Sequence, residues 1–153
     1  MCILIHGGIF LVYPWIEQTG CCELVLKSLS SSVVNWEQVG VVRKAERPEE
    51  ANLLIIGGWI NPEQAQNLKE VYDRMLKEKL VIAVGSCALS AAAFANDENC
   101  VAAKEILPVH YFVPGCPPRW DDILKGISAI SKIGMQNKTV RDILNDSGND
   151  HVF

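Results

Sequence analysis

The clearest pattern in the chain is a series of short apolar runs that end at glycine-containing turns. Leu53–Ile56 precedes two glycines, Leu80–Val84 precedes one, and Val109–Val113 comes shortly before another. Uninterrupted runs rich in β-branched residues are typical of strands buried on both faces. Val39–Val42 is a shorter run of the same kind. We therefore predict four strands.

Helical spacing separates these runs. Asn61 can cap a helix and Pro62 suits its first position, and Lys77 and Lys79 follow its end, where the helix dipole favours cations. Pro117 opens a second predicted helix. The buried faces consist of apolar residues three or four positions apart: Ala65, Leu68, Val71, Tyr72, Met75 and Leu76 in the first helix, and Ile123, Leu124, Ile127 and Ile130 in the second.

Alternating strands and helices predict an α/β fold with a mostly parallel sheet. We expect the α/β domain to cover residues 15–140. Residues 1–14 form an uncharged, apolar arm without the positive start or the cleavage site of a signal peptide. Residues 141–153 form a polar tail. The apolar run in the arm is too short for a membrane-spanning helix, so we expect it to be buried or covered by a partner.

Charge and cysteine content narrow the class of function. The net charge is −4 at pH 7 and basic residues are scattered among acids, which argues against nucleic acid as a partner. Six cysteines are present in a chain without an export signal. In a reducing compartment disulfides are disfavoured, and cysteine spacing indicates metal binding or redox chemistry.

Four cysteines fall where a strand signal gives way to a helix signal. Cys87 follows Val84-Gly85-Ser86, Cys116 follows Pro114-Gly115, and Cys21 and Cys22 follow Thr19-Gly20. In an open parallel sheet these junctions share the edge at which ligands bind. Helix N-termini there lower the pKa of thiols and favour anionic groups. We expect the four side chains to converge.

Three kinds of centre could use such thiols. Zinc prefers ligands paired two to four residues apart, so the adjacent Cys21 and Cys22 suit one ion poorly. In a cubane cluster each cysteine binds a different iron. A disulfide between neighbours would be strained. We rank the cluster first, zinc second and the disulfide third.

The remaining candidates have simpler interpretations. We expect Cys2 and Cys100 to be small buried apolar residues, and His110 to be a core or partner-facing histidine rather than a ligand. Arg119 follows the third cysteine motif and is either a positive neighbour of the centre or a surface residue.

Four segments together resemble one family. Thr19-Gly20-Cys21-Cys22, Ala51–Gly58, Val84–Ala88 and Val113–Pro118 resemble, in order and spacing, the 20-kDa cluster-bearing subunit of respiratory complex I. Small subunits of membrane-bound [NiFe] hydrogenases and ferredoxin-linked sulfane sulfur reductases are related to it. The likeness runs from about residue 13 to residue 133.

The resemblance implies a flavodoxin-like domain with helices on both faces of the sheet. It also implies one [4Fe–4S] cluster on Cys21, Cys22, Cys87 and Cys116. The chain would then relay electrons to a large hydrogenase-like (49-kDa-like) subunit that reduces a quinone or sulfane sulfur, with ferredoxin or NADH as ultimate donor. A ferredoxin-like cluster subunit and membrane subunits would be further partners, and the location would be peripheral, at the cytoplasmic face of a membrane.

The chain departs from the family pattern in two places. Hydrogenase small subunits usually present Cys-x-x-Cys at the first motif, so the adjacent Cys21 and Cys22 favour the complex I branch. Val25 stands where both branches usually carry Glu, which leaves the terminal acceptor open. A hydrogenase small subunit is the alternative function. A non-redox zinc-binding or interaction module is the third hypothesis.

Overall fold

The computed structural model describes residues 12–29, 36–92 and 98–135. Most of the apolar arm and the whole polar tail lie outside this range, as do Cys2, His6 and His151. The strands are β1 (Pro14–Gln18), β2 (Leu53–Gly57), β3 (Leu80–Val84) and β4 (Tyr111–Val113). The α-helices are α1 (Cys22–Leu29), α2 (Pro62–Arg74), α3 (Ser86–Ser90), α4 (Ala103–Ile106) and α5 (Trp120–Met135). Trp36–Val39 and Pro48–Glu50 form 3₁₀ helices.

The strands form one parallel sheet in the order β1-β2-β3-β4. Val41 adds a single parallel bridge to Val12, and the backbone N–H of Val12 donates to Gly40. Since the carbonyl of Tyr13 accepts from Asn52 on the other side, Val41 lies on the side of β1 away from β2. The chain therefore steps to one side of its first strand before crossing to the other, which is the flavodoxin-like order. The predicted fold class is confirmed.

Strand prediction succeeded for β2, β3 and β4 and failed at two places. Val39–Val42 was expected to be a strand, but Trp36–Val39 is a 3₁₀ helix and only Val41 forms a bridge. Gly40, with φ of 82°, turns the chain between them, so an extended run cannot form. β1 was not predicted, because its sequence PWIEQ lacks an uninterrupted apolar run.

Helices cover both faces of the sheet and create two cores. In the first core, α1 and α5 pack on alternate residues of the central strands β2 and β3. The helices contribute Leu26, Ile123, Ile127 and Ile130, and the strands contribute Leu53, Ile55, Ile82 and Val84. In the second core, α2, α3 and α4 pack on the intervening residues of the same strands, whose side chains point to the opposite face. The helices contribute Leu68, Val71, Ala88 and Ala103, and the strands contribute Leu54, Ile56, Val81 and Ala83. Because the side chains of a central strand point alternately into the two apolar cores, every position in that strand must be apolar. This explains the uninterrupted apolar runs in the sequence.

The start of α2 matches its sequence signals. Asn61 accepts the backbone N–H of Gln64 at 2.7 Å, and Gln64 accepts the N–H of Asn61 at 2.9 Å, which completes a capping box. The helix ends at Arg74, slightly earlier than expected. Lys79 nevertheless lies at this end, where its ammonium contacts the carbonyl of Tyr72 and stacks 4.0 Å from the centroid of that ring. No described helix combines the length and apolar character needed to cross a bilayer.

Candidate metal centre

The four predicted cysteines lie at the carboxyl edge of the sheet. Cys21 and Cys22 stand where β1 leads into α1, Cys87 is the second residue of α3 after β3, and Cys116 lies in the turn between β4 and α5. Their expected positions at three strand-to-helix junctions are confirmed. Their role as ligands stays a prediction.

The loop before Cys21 and Cys22 is fixed to the loop after β2. The backbone N–H of Thr19 donates to the carbonyl of Gly57 at 2.9 Å, and the Thr19 hydroxyl donates to the carbonyl of Trp59. Gly58 has φ of 91°, and a Cβ there would overlap the carbonyl oxygen of Thr19. Only glycine therefore permits this close approach of the two backbones.

Cys22 is buried against two neighbouring strand ends. Its sulfur lies 3.8 Å from the carbonyl oxygen of Val84, and a Cβ on Gly85 would stand 2.5 Å from that sulfur. A Cβ on Gly57 would stand 3.5 Å from the Cβ of Cys22 and would overlap Leu26. The absence of side chains at Gly57 and Gly85 thus makes room for the start of α1.

The junctions that carry Cys87 and Cys116 are joined by hydrogen bonds. The N–H of Gly85 donates to Val113 at 2.8 Å, and the N–H of Ser86 donates to Gly115 at 2.8 Å. The Ser86 hydroxyl donates to the same Gly115 carbonyl at 3.1 Å. These bonds continue the β3–β4 pairing past the strand ends and hold the two cysteines side by side.

The thiols influence one another electrostatically. Burial raises the pKa of Cys22 to about 12, and Cys21, Cys87 and Cys116 contribute to this rise. Burial also raises the pKa of Cys87, with further contributions from Cys116, Cys100 and Cys21. The expected lowering of thiol pKa by helix N-termini is wrong for Cys22 and Cys87, because burial and neighbouring thiols oppose ionisation more strongly.

This electrostatic environment fits a positively charged metal centre. The four cysteines are reduced thiols in the structure. Several thiolates can coexist in one buried place only if a cation compensates their charge. In the described part of the chain, no group of three or more His, Cys, Asp or Glu side chains is placed to hold one metal ion. As placed, the four thiols therefore do not form a compact site for a single metal ion.

Other candidate residues lie outside the centre. Arg119 is 80% exposed in its side chain and pairs with Asp121 at 3.5 Å, as a surface residue does. Val25 packs against the first core, and Glu23 forms an ion pair with Lys27. Neither position places a carboxylate beside the thiols.

Two residues have roles that the sequence did not reveal. Cys100 is buried, as expected, but it also lies near enough to Cys87 to raise its pKa. His110 accepts the backbone N–H of Val81 at its Nδ1, at 2.9 Å, and burial lowers its pKa. No periodicity or motif signals either contact, because both join positions distant in the chain.

A cavity of about 180 Å³ lies at the same edge, beside the ends of β1 and β2. Gly57 lines it and also approaches Cys22, so one backbone strand separates the cavity from the thiols. Its walls are mixed in polarity: Glu17, Gln18, Thr19, Ile56, Gly57, Trp59, Ile60, Gln64, Asn67 and Leu68.

Fold and site together define a class: a flavodoxin-like α/β domain with four cysteines at the carboxyl edge of its sheet. Residues 19–130 match the family described as NADH ubiquinone oxidoreductase, 20 Kd subunit. A similar NADH-quinone oxidoreductase subunit, from Campylobacter fetus subsp. fetus (strain 82-40), is 34% identical over 131 residues, which cover 86% of this chain and 77% of that protein. The chain therefore belongs to the family of the complex I 20-kDa subunit.

Two solved structures share the fold. A chain of the membrane-bound sulfane sulfur reductase, an archaeal respiratory membrane complex, superimposes with a TM-score of 0.71 at 22% identity, covering 82% of this chain and 72% of the other. A chain of the NAD⁺-reducing [NiFe]-hydrogenase in its H₂-reduced state gives a TM-score of 0.57 at 17% identity, covering 76% and 92%. At these identities the likeness establishes the architecture alone.

Proposed function

We propose that this chain is the electron-transfer subunit of a membrane-associated, complex I-like oxidoreductase. It would hold one [4Fe–4S] cluster on Cys21, Cys22, Cys87 and Cys116. The observation that carries the proposal is the position of four thiols from three separate junctions at one edge of the sheet, near enough that the other three contribute to the raised pKa of Cys22. Family membership supports the oxidoreductase class.

The arrangement favours a cluster over a single zinc ion. Cys21 and Cys22 are adjacent in the chain, and neighbouring side chains suit different irons better than one tetrahedral ion. A bound cluster supplies one-electron chemistry, and the protein supplies its position and its electrostatic environment.

The surroundings of the thiols suggest where a partner docks. Cys21 and Cys116 are exposed, whereas Cys22 is buried and Cys87 is half-buried. Leu24, 75% exposed, and Trp120, 51% exposed, lie in the first turns of α1 and α5 beside them. Exposed apolar side chains around an electron-transfer centre suit a protein partner. We assign this surface to a large hydrogenase-like (49-kDa-like) subunit, with a ferredoxin-like cluster subunit and membrane subunits completing the complex at the cytoplasmic face.

The chain contributes little to the chemistry of the acceptor. Val25 packs against the first core and has no group that could transfer a proton, and the carboxylate of Glu23 is paired with Lys27. A quinone or sulfane sulfur would therefore be reduced, and protonated, on the large subunit. The names of the relatives and of the sulfane sulfur reductase support these two acceptors.

The test is spectroscopic and uses the purified complex. Reduced wild-type complex should give the EPR signal of a cubane cluster together with iron and acid-labile sulfide. Cys87→Ser should lose this signal. Cys100→Ser removes a buried thiol near Cys87 that is not one of the four, and should retain it.

Other results would overturn the proposal. About one zinc per chain with no iron or sulfide would identify a zinc-binding module. Nickel in the complex together with H₂ evolution would identify a hydrogenase small subunit. An EPR signal that survives Cys87→Ser unchanged would remove Cys87 from the centre.

A further inference from the structure

We propose that Thr19 is a positioning residue, whose hydroxyl and backbone together set the place of Cys21 and Cys22 relative to Cys87. The set of contacts between Thr19 and residues 57–59 is called the Thr19 clasp below. The proposal rests on the proposed function only where a bound cluster is the readout.

The clasp joins two loops through three independent contacts. The Thr19 N–H donates to the Gly57 carbonyl at 2.9 Å, and the Thr19 hydroxyl donates to the Trp59 carbonyl. The Thr19 carbonyl packs against Gly58 so closely that a Cβ there would overlap it. The hydroxyl bond is the one contact that depends on the side chain of residue 19. It is therefore the one that substitution at residue 19 can remove selectively.

Gly20, the residue between the clasp and the cysteines, is joined to the start of α1, since its carbonyl accepts the backbone N–H of Glu23 at 3.2 Å. Gly20 adopts φ of 62°, and a Cβ built on it would meet nothing within 4 Å. Among the described contacts, Thr19 is therefore the residue nearest to Cys21 that is hydrogen-bonded to the loop after β2. On the other side of Cys21, Cys22 and Leu26 are buried in the first core. The position of Cys21 and the entry angle of Cys22 are thus set by the clasp on one side and α1 on the other.

The two adjacent cysteines differ in their surroundings, because Cys22 is closely packed whereas Cys21 faces solvent. The sulfur of Cys22 lies at Gly85, two residues before Cys87. Cys21 is exposed. Releasing the hydroxyl bond would let the 19–21 loop move toward the cavity that Thr19 and Trp59 line. Cys22 would then shift from Gly85, and Cys21 would change its separation from Cys87.

The experiment compares Thr19→Val, which keeps the shape but loses the hydroxyl, with Thr19→Ser, which keeps the hydroxyl. In the metal-free full-length chain, alkylation of Cys22 by iodoacetamide is followed by mass spectrometry. Thr19→Val should speed this reaction roughly two- to tenfold, the factor expected for loss of one hydrogen bond. Thr19→Ser should react at the wild-type rate.

A second measurement uses the purified complex. Thr19→Val should shift the EPR g-values and the midpoint potential of the reduced centre, and Thr19→Ser should restore both. A Thr19→Val variant that is less stable to heat, yet keeps wild-type alkylation rates, g-values and potential, would show a merely structural role and overturn the proposal. If the wild-type complex held no iron while Thr19→Val still sped alkylation, the proposed function would fail and the positioning role would stand.

Discussion

The two edges of the sheet are held together in different ways. At the carboxyl edge, the chain turns through glycines with positive φ at residues 20, 58, 85 and 115, and backbone hydrogen bonds join neighbouring loops. At the amino edge, exposed ion pairs join separate elements: Arg74 of α2 pairs with Glu49 at 2.7 Å, and Arg43 pairs with Glu50 at 3.1 Å. The described ion pairs near the carboxyl edge stay within one helix or its first turn.

This difference predicts where the molecule tolerates change. Backbone packed against backbone leaves no room for an added atom, and a positive φ penalises any side chain. Exposed ion pairs, in contrast, are screened by water and salt and contribute little. The edge that carries the thiols should therefore be intolerant of substitution, whereas the opposite edge should accept it.

The largest expected effect is that of Gly58→Ala. The new Cβ would overlap the Thr19 carbonyl, and φ of 91° is unfavourable for alanine. Together the two costs should lower the free energy of unfolding by roughly 3 kcal/mol or more. Chemical denaturation monitored by circular dichroism measures this loss.

Gly20→Ala is the matched control at the same edge. Its φ is also positive, at 62°, but nothing lies within 4 Å of the added Cβ. Only the backbone cost remains, about 1–2 kcal/mol. Equal losses for the two variants would show that close packing of the loops contributes nothing beyond φ.

An intermediate effect is expected for His110, which directly precedes β4 and is hydrogen-bonded to Val81 near the amino end of β3. Its Nδ1 accepts the N–H of Val81, so the folded chain requires the neutral ring, and burial lowers its pKa below the ordinary value of 6.5. As the pH falls through about 6.5, the unfolded chain takes up a proton that the folded chain refuses. Stability should therefore be full above this pH and decline below it.

The variant His110→Asn tests this dependence. Its Oδ1 can accept the same N–H but does not titrate. Denaturant midpoints measured from pH 8 to pH 5.5 should fall less steeply for the variant than for the wild type. Parallel pH profiles would mean that His110 does not govern the decline.

The smallest effect is expected at the amino edge, for Arg74→Ala. Its partner Glu49 is exposed, and the pKa of that carboxyl is lowered by a backbone hydrogen bond first and by Arg74 second. The contribution of the carboxylate is present above its ordinary pKa and is lost as the pH falls through the lowered one. At neutral pH the denaturant midpoint should change less than for Gly20→Ala, and the difference should vanish in 1 M NaCl. A larger loss than that of Gly20→Ala would reverse the comparison of the edges.

Sequence reasoning recovered the fold where hydrophobic pattern decides structure. β2 and β3 are buried on both faces, so every position is apolar and the runs are unmistakable. β1 escaped because its side chains are mostly half-buried and mixed in character. Val39–Val42 was assigned wrongly because a glycine with positive φ, not its composition, determines its path.

The site divides in the same manner. The positions of Cys87 and Cys116 follow from local signals, since each lies between a predicted strand and a helix start, whereas the strand before Cys21 and Cys22 was not predicted. The contacts of Thr19 with residues 57–59, and the electrostatic effect of Cys100 on Cys87, depend on how distant loops meet. The spacing of residues along a single sequence contains no information about contacts between distant loops.

The order of the strands has a consequence for how the protein is made. The thiols reside on the first junction and on the last two, and the sulfur of Cys22 rests beside the end of β3. A ribosome releases the segments in sequence, so Cys21 and Cys22 must wait until β3 and β4 have emerged and paired. A cofactor bound by all four can be loaded only late in synthesis or after it. Until then Cys22 lacks the end of β3 against which its sulfur packs.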